Sequence, residues 1–398
     1  MSEHALLSPS SAHRWLNCPL APRLEATLPA TTSSYAEEGT LAHSVCEITA
    51  KKYFTPMKTA EFNKNMKKLK SHELWNDEMI QTAETYVGHL KEKAMCFRNS
   101  PYIAFEVKVD ISDYAPEAFG RCDCIMFGEG TLVITDYKHG KGVAVSAKEN
   151  PQMMLYALGA LKLYQPIFGD AIEKINICID QPRIDSYETW ECSKIELLEW
   201  GDTVKPKAQK AFMGIGEYNA GTWCKFCRAN GVCRAQADNQ VNAFEDFKEI
   251  VADGNTDLLT PEQIGEALKK GELLVAWYEA LQKTALEKLL GGSEIPGYKV
   301  VEGRSSRTWT NQDEALETLQ NSGIEHAAIY DSVPKSLAQL EKMLGTAKFA
   351  ELVGKYVFKP IGKPTLASAN DKRPVFNSAV SDFASVAKKN EKFEVTKC

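Results

Sequence analysis

The hydrophobic pattern changes its period near residue 100, and this change limits the possible folds more than any other feature of the chain. Apolar and polar residues alternate from Ile103 to Ile111, which predicts a half-buried β-strand. Two more strands are predicted over residues 119–127 and 131–138, with a turn at Gly128-Glu129-Gly130 between them. We therefore expect a β-hairpin or meander in this part of the chain.

Helical patterns lie on both sides of this strand region. A long helix is predicted from Asn150-Pro151 to about Tyr164, since proline is favoured in the first turn of a helix. The other predicted helices cover residues 8–19, 35–54, 60–98 and 193–213, and the other predicted strands cover residues 173–181 and 187–192. Helices and strands that alternate in this way predict an α/β domain.

The composition shifts after about Gln240. An amphipathic helix is predicted over residues 260–290, a strand pair over 297–309 and short helices over 312–355. The sequence therefore predicts three parts. They are a first domain over residues 1–240, a mainly helical accessory region over 241–375 and a flexible polar tail over 376–398.

The composition is that of an ordinary globular protein, with 44% hydrophobic and 25% charged residues among 398. A net charge of -6 means that any binding of nucleic acid needs a local positive potential. The chain has no apolar run of membrane-spanning length and no signal-peptide pattern at its start, so we expect no membrane partner and a cytoplasmic location. The odd count of eleven cysteines then argues against a disulfide framework.

An acidic centre is predicted where the strands end. Asp136 and Lys138 lie two apart in one strand and therefore project from the same face, while Asp123 lies in the neighbouring strand. Two carboxylates suit a hard cation such as Mg²⁺ or Mn²⁺, and a lysine beside them can orient a water molecule. Glu106, on the preceding strand, could support the site. This chemistry suits phosphodiester hydrolysis, although Asp-x-Lys also occurs at ordinary solvated strand ends.

The motifs of this region resemble those of the RecB nuclease family within the PD-(D/E)XK superfamily. The resemblance rests on Gly39-x-x-x-His43, on Asp136-x-Lys138 and on three further positions in the family's order, namely Asp123, Gln152 and Tyr156. It implies a restriction-endonuclease-like core with a mixed central sheet flanked by helices. It also implies that the chain hydrolyses DNA with Mg or Mn.

The resemblance also implies a role for each residue. His43, Asp123 and Asp136 would hold the metal, and Lys138 would position the attacking water. Gln152 and Tyr156, which share one helix face, would form the side of the site that faces the DNA. Apart from the resemblance, Glu47 lies one helical turn beyond His43 and is expected to support the site rather than to bind the metal. Two simpler interpretations stay open, since His43 could make an ordinary helix hydrogen bond and Tyr156 could belong to the core.

Three cysteines lie in one short loop, as Cys224-x-x-Cys227 followed by Cys233. Three thiolates need a fourth ligand, and the chain has no second Cys-x-x-Cys of the kind a zinc ribbon uses. Cys18, followed by Pro19, is the best remaining candidate. Zinc, or four buried thiols without a metal, are the alternatives.

A lone upstream cysteine with three downstream resembles the iron–sulfur branch of the RecB-like nucleases. The resemblance implies a 4Fe–4S cluster that joins the first helix to the end of the nuclease domain. Cys122 and Cys124 are expected to point away from Asp123 as small apolar residues. The same interpretation applies to four others, Cys46, Cys96, Cys178 and Cys192.

Lysines after the acidic strand are candidates for phosphate contacts, in particular Lys141 and Lys148. The basic run over residues 64–70 could serve the same purpose, or could be a solvated helix face. A further nucleic-acid surface is hypothesised at Arg304, Arg307 and Trp309.

Nearly the whole sequence resembles a RecB-like family found mainly in bacteriophages and prophages. This implies a metal-dependent exonuclease in phage DNA replication or recombination, acting on DNA ends or single strands in the host cytoplasm. A phage single-strand-binding or recombination protein is the expected protein partner. The alternatives are a non-catalytic DNA-binding or assembly factor on a nuclease scaffold, and a zinc-bound regulatory module.

Overall fold

The computed structural model describes residues 5–29, 34–142, 144–252 and 260–300. The chain divides into two units, Met1–Val301 and Glu302–Cys398, and every element below belongs to the first. Most of the predicted strand pair over 297–309, the short helices, the tail and the surface at Arg304, Arg307 and Trp309 lie outside the described residues.

Among the described residues five α-helices precede the sheet, where three were predicted, because the helix predicted over 60–98 is two helices and a further short helix follows the first. They are α1 (Ala12–Trp15), α2 (Ala21–Ala26), α3 (Ser34–Phe54), α4 (Thr59–Lys70) and α5 (Glu78–Met95). Four more helices follow among the described residues. They are α6 (Pro151–Phe168), α7 (Lys194–Met213), α8 (Arg234–Ala252) and α9 (Pro261–Leu290).

Capping fixes the start of two of these helices. The Ser193 side chain accepts a hydrogen bond from the Glu196 backbone at the start of α7, and the Glu196 carboxylate accepts one from the Ser193 backbone N–H. Thr260 and Gln263 form the same reciprocal cap on α9, where the sequence predicts an amphipathic helix. The domain boundary predicted after residue 240 falls within α8.

A five-stranded sheet forms the centre of the first unit, with its strands in sequence order. The strands are β1 (Tyr102–Asp110), β2 (Phe119–Gly128), β3 (Thr131–Tyr137), β4 (Lys174–Gln181) and β5 (Ser186–Ser193). The β3 and β4 strands are parallel and all other neighbours are antiparallel. The one parallel pair needs a long crossover, and α6 supplies it. The protein is therefore a mixed α/β fold with helices flanking its sheet.

Each face of the sheet carries its own apolar core. One core packs α1, α6 and α7 against the sheet, with Trp15, Ile134 and Met153 fully or almost fully buried. The other packs α3 and α5, with Met79 and Tyr137 at its centre. Because helices cover both faces, the central strands β3 and β4 are buried on both sides, and their ends hold side chains at fixed positions.

The alternation of β1 changes face halfway along the strand. Ile103 and Phe105 pack with the core of α3 and α5, whereas Val107 and Val109 belong to the core of α6. A regular strand would send all four to one face. The change occurs at Glu106, whose φ of 54° lies in the left-handed region that residues other than glycine rarely adopt.

The partner strand β2 changes face at the opposite position. Phe105 pairs with Cys124 and Val107 pairs with Cys122, so Asp123 lies across from Glu106. Cys122 packs in the α6 core and Cys124 in the α3–α5 core. The prediction that these two cysteines share a face is wrong, because the paired strands turn over together at Asp123.

The other cysteines that were expected to be small apolar core residues divide in two. Three of them, Cys46, Cys178 and Cys192, are buried. Cys96 is exposed, so that prediction is wrong for this residue. It caps the C-terminus of α5, where the helix leaves the core. None of the helices in the described part of the chain is long and apolar enough to cross a membrane.

Candidate active site and cysteine centre

The end of β3 brings a buried carboxylate and an ammonium group together. Asp136 is 3% exposed, and its Oδ2 lies 2.9 Å from Lys138 Nζ. The two side chains project to the same side, as their spacing predicts. Burial raises the pKa of Asp136, and the charge of Lys138 opposes that shift. The backbone N–H of Lys138 also donates to the carbonyl of Asp180 at 2.8 Å, so the end of β4 fixes the lysine.

Helix α6 supplies a glutamine that contacts both members of this pair. Gln152 Oε1 accepts a hydrogen bond from Lys138 Nζ at 3.2 Å, and Gln152 Nε2 donates to Asp136 Oδ1 at 3.5 Å. Gln152 Nε2 also lies 3.2 Å from the Tyr156 hydroxyl, one helical turn further on. The Gln152 amide therefore links the end of β3 to α6.

Tyr156 belongs to both the core and the site. Its ring is 7% exposed and packs in the α6 core, while its hydroxyl faces Gln152. The ring lies so close to β2 that a Cβ added to Gly120 would meet it at 2.5 Å. Glycine at this position thus makes room for the tyrosine. Burial raises the pKa of Tyr156 well above its usual range.

Asp123 receives two contacts from neighbouring elements. Its Oδ2 accepts the backbone N–H of Tyr137 at 2.8 Å, and His43 Nδ1 lies 3.3 Å from the same oxygen. Helix α3 carries the histidine, whose ring stands edge-on to Tyr137 with centroids 5.2 Å apart. Burial alone would lower the pKa of His43, but the charges of Asp123 and Asp136 raise it to about 9.

Glu106 joins His43 and Asp123 in a set of possible metal ligands. One ligand atom from each lies within 4.8 Å of the others, which is the one such group of three or more within the described residues. Burial raises the pKa of Glu106 to about 7, with further contributions from Asp123 and Glu47. Glu47 itself forms an ion pair with Lys51 on α3. Oxygen and imidazole donors at these separations suit a divalent cation.

The two lysines expected to contact phosphates differ in their surroundings. Lys141 is about half exposed and its ammonium lies 3.1 Å from Glu78 Oε1, so an ion pair already occupies it. Lys148 is exposed and forms no ion pair with any described residue. Its charge is available to an anion in solution.

A buried polar network behind β3 was not found from the sequence. Tyr137 donates its hydroxyl proton to Thr82 Oγ1 at 2.9 Å, and the same hydroxyl lies 2.8 Å from His139 Nδ1. His139 Nε2 in turn lies 3.1 Å from Glu38 Oε1 on α3. The network joins the strand that carries Asp136 to the helix that carries His43.

Arg183 closes this network from the turn after β4. Its guanidinium contacts Glu38 Oε1 at 3.2 Å, Glu78 Oε2 at 2.9 Å and the carbonyl of His139 at 3.2 Å. The side chain is 11% exposed. A single arginine therefore ties α3, α5 and the loop after β3 together. No motif in the sequence marks it, because its partners are far apart along the chain.

A second buried acid lies at the end of β4. Asp180 is fully buried, and His89 Nδ1 on α5 lies 2.8 Å from its Oδ2. Burial raises the pKa of Asp180, and His89 opposes that shift. Asp180 also holds Lys138 through its backbone carbonyl, which makes this strand end a support for the site.

The four cysteines expected to form one centre line the same small cavity, namely Cys18, Cys224, Cys227 and Cys233. None of the four forms a disulfide. Backbone N–H groups point at two of the sulfurs, from Asn219 to Cys18 Sγ and from Gly221 to Cys224 Sγ, each at 3.4 Å. Burial raises the pKa of Cys227 to about 12. The start of the chain and the late loop therefore share one sulfur-lined space.

Polar contacts hold these two segments against each other. Arg14 Nε lies 2.8 Å from Glu25 Oε2 and its Nη1 donates to the carbonyl of Phe226 at 3.1 Å. Glu25 also accepts the backbone N–H of Arg228 at 2.9 Å. Asn219 donates its side-chain amide to the carbonyl of Asn17 at 3.1 Å. These bonds hold Cys18 beside the loop.

Comparison with known proteins finds a matching family and similar solved structures. Residues 4–374 match the model of a protein family whose description is "Protein of unknown function (DUF2800)". A solved structure titled "Crystal structure of SSO0001" has 16% sequence identity to this chain, and the match covers 55% of this chain and 95% of that one. Its TM-score of 0.23 is too low to assign a fold by similarity.

Proposed function

This chain belongs to the DUF2800 family, and we propose that it is a divalent-metal-dependent deoxyribonuclease. The observation that carries the proposal is two adjoining pairs near the end of β3, His43 with Asp123 and Asp136 with Lys138. The backbone N–H of Tyr137, next to Asp136, donates to Asp123 and joins the two pairs. Ion pairs with a purely structural role would not require an imidazole, two carboxylates and a lysine in one place. Hydrolysis of a phosphodiester uses such a set.

The residues present fit a hard divalent cation. His43, Asp123 and Asp136 would hold Mg²⁺ or Mn²⁺, since carboxylate oxygens suit both ions and imidazole is tolerated by Mn²⁺. When bound, the metal supplies Lewis acidity towards the phosphate and lowers the pKa of water. The carboxylates are held by their own neighbours, because the Tyr137 backbone fixes Asp123 and Gln152 contacts Asp136.

Lys138 orients the reacting water in this proposal. Its ammonium is held between Asp136 Oδ2 and Gln152 Oε1, so it has a fixed direction before DNA binds. A positioned cation also stabilises negative charge that develops on the phosphate. Gln152 and Tyr156 then offer uncharged hydrogen-bonding groups to the DNA, and Lys148 offers a charge to a flanking phosphate.

The order of elements supports a PD-(D/E)XK-like core of the RecB type. The β2–β3 hairpin carries the two acidic positions, α6 carries the glutamine and tyrosine, and β4 adds in parallel to β3. The DNA substrate, with ends or single strands preferred, follows from this assignment. So does a role in phage DNA replication or recombination beside a single-strand-binding or recombination protein.

The cysteine cavity is proposed to hold a 4Fe–4S cluster. Four thiols around one cavity match Cys₄ ligation, and N–H groups aimed at sulfur are a feature that tunes such clusters. The chain has no second Cys-x-x-Cys of the kind that a zinc ribbon uses, which favours a cluster over a single zinc ion.

Cleavage of labelled DNA tests the function. Linear and circular DNA, single- and double-stranded, would be incubated with the anaerobically purified full chain in Mn²⁺, in Mg²⁺ and in EDTA. We expect linear DNA to be degraded from its ends only when a divalent cation is present. Cleavage of circles would change the assignment to an endonuclease. Binding without any cleavage would instead favour a DNA-binding factor on a nuclease scaffold.

A further inference from the structure

The backbone conformation of Glu106 is not that of a regular β-strand. It has a φ of 54° inside a nine-residue strand. Glu117, which shares the unusual backbone with a φ of 55°, lies outside the strands in the segment between β1 and β2. A non-glycine residue in this conformation costs roughly 1–3 kcal/mol and persists where its surroundings hold it. At Glu106 both paired strands change face, and the carboxylate is brought opposite Asp123.

The paired carboxylates at Glu106 favour a bound cation. Its carboxylate and that of Asp123 each have an oxygen within 4.8 Å of the other and of a His43 ring nitrogen. Two carboxylates this close repel each other when both are ionised. The one ion pair that Glu106 forms with a described residue joins it to Arg121 at 3.8 Å. That arginine side chain is 65% exposed, so solvent screens its charge and weakens the pair.

We propose that Glu106 is a direct ligand of the divalent cation, together with His43 and Asp123. This inference rests on the metal site of the proposed function and assigns to Glu106 more than a supporting role. The three ligands come from three separate elements, namely helix α3 and the neighbouring strands β1 and β2. Asp136, on β3, is the third carboxylate of the site and also holds Lys138.

The ligand set also selects the metal. Mg²⁺ strongly prefers oxygen ligands and retains several waters, whereas imidazole nitrogen is a better ligand for Mn²⁺ and later transition metals. A set of one imidazole and two or three carboxylates therefore binds Mn²⁺ more tightly than Mg²⁺. We expect this preference in direct binding, independently of any reaction.

Metal binding to the full chain tests the proposal. Mn²⁺ would be titrated into chelator-treated protein and free Mn²⁺ followed by electron paramagnetic resonance, for the native protein, Glu106→Gln and Glu117→Gln. We expect Glu106→Gln to weaken Mn²⁺ binding by about tenfold or more, since even indirect partners of a metal contribute 10–100-fold. The exposed control Glu117→Gln should bind as the native protein does. Unchanged binding by Glu106→Gln, or no Mn²⁺ binding by the native protein, overturns the proposal.

A second variant separates ligation from a structural role. Glycine adopts positive φ without strain, so Glu106→Gly should unfold at the same or a higher temperature than the native protein in chelator. The native protein should gain stability when Mn²⁺ is added, and Glu106→Gly should lose most of that gain. An equal gain in the variant contradicts ligation by Glu106.

The outcome is separable from that of the nuclease proposal. If the native protein binds Mn²⁺ through Glu106 but cleaves no DNA, the ligand assignment stands and the nuclease assignment fails. If it cleaves DNA and Glu106→Gln binds Mn²⁺ normally, the nuclease assignment stands and Glu106 is not a ligand.

Discussion

The acidic site and the cysteine centre are built in opposite ways. The acidic site draws most of its residues from β2, β3 and α6, which are close in sequence, and its side chains are already joined by hydrogen bonds. The cysteine centre joins Cys18 to a loop near residue 224 and depends on contacts between distant parts of the chain. Residues that are close in sequence fix the side-chain directions of the acidic site. The cysteine centre instead joins distant parts of the chain, and such a link closes a long loop and stabilises the folded state.

The largest effect should come from breaking the cysteine centre. We expect Cys18→Ser to abolish the brown colour and the bound iron and sulfide of anaerobically purified protein, and to lower its solubility and unfolding temperature. The reason is that binding of the cluster contributes to the free energy of folding, and this contribution is lost when one of the four cysteine ligands is removed. Iron and sulfide analysis beside thermal unfolding measures both effects.

Two results would contradict this role of the cysteine centre. One is a native protein that contains only zinc, and the other is a Cys18→Ser protein with full iron and an unchanged unfolding temperature. Cys96→Ser serves as the matched control, because Cys96 is exposed and lies outside the cavity. It should retain the native metal content.

The next effect concerns the acidic site. Lys138→Ala should abolish DNA cleavage, while the protein stays folded and keeps its iron. Its unfolding free energy should fall by roughly 1–3 kcal/mol, because Asp136 loses a charged partner while buried. Single-turnover cleavage and chemical unfolding of the same preparation separate the two losses. Cleavage at the native rate would remove Lys138 from the mechanism.

Arg183→Met tests whether the buried network holds the two sides of the acidic site together. Removing one partner of a buried ionic network costs about 3–5 kcal/mol. We expect a loss at the lower end of that range, since Glu38 and Glu78 are partly exposed. Urea unfolding gives the value, and a loss below about 0.5 kcal/mol, typical of surface substitutions, would show that the network adds nothing.

The smallest effect should come from the surface lysines. Lys148→Ala should weaken DNA binding and lower the dependence of log affinity on log salt by about one unit, as for one phosphate contact. Lys141→Ala should change that dependence less, since Glu78 already pairs with Lys141. Binding measured over a salt series distinguishes them. Equal slopes for the two variants would contradict a difference between the two lysines.

The sequence predicted the parts of this molecule that depend on local periodicity. The strands over residues 102–137 and the long helix after them follow from alternation and from Pro151. The shared side of Asp136 and Lys138 follows from their spacing of two. Cysteine spacing led to Cys18 as the partner of the late loop, and the structure brings it there.

The remaining features depend on contacts that no local pattern records. Apolar and polar residues alternate through residue 106 without a break, so nothing in the sequence marks where β1 and β2 change face. The same continuity led to the wrong expectation for Cys122 and Cys124. Arg183 was missed because its partners lie on α3 and α5, more than a hundred positions earlier.

Cleavage by Asp136→Asn tests the central claim most directly, because asparagine keeps the shape of the side chain and removes its charge. End-labelled DNA would be incubated in Mn²⁺ with excess native protein or variant, and DNA binding would be measured in Ca²⁺ on the same preparations. We predict that the native protein degrades the DNA, and that the variant binds it but cleaves at least about a hundredfold more slowly, the scale of one lost electrostatic group at a reacting centre. Native-rate cleavage by Asp136→Asn, or cleavage that continues in EDTA, would contradict a metal-dependent nuclease site at the end of β3.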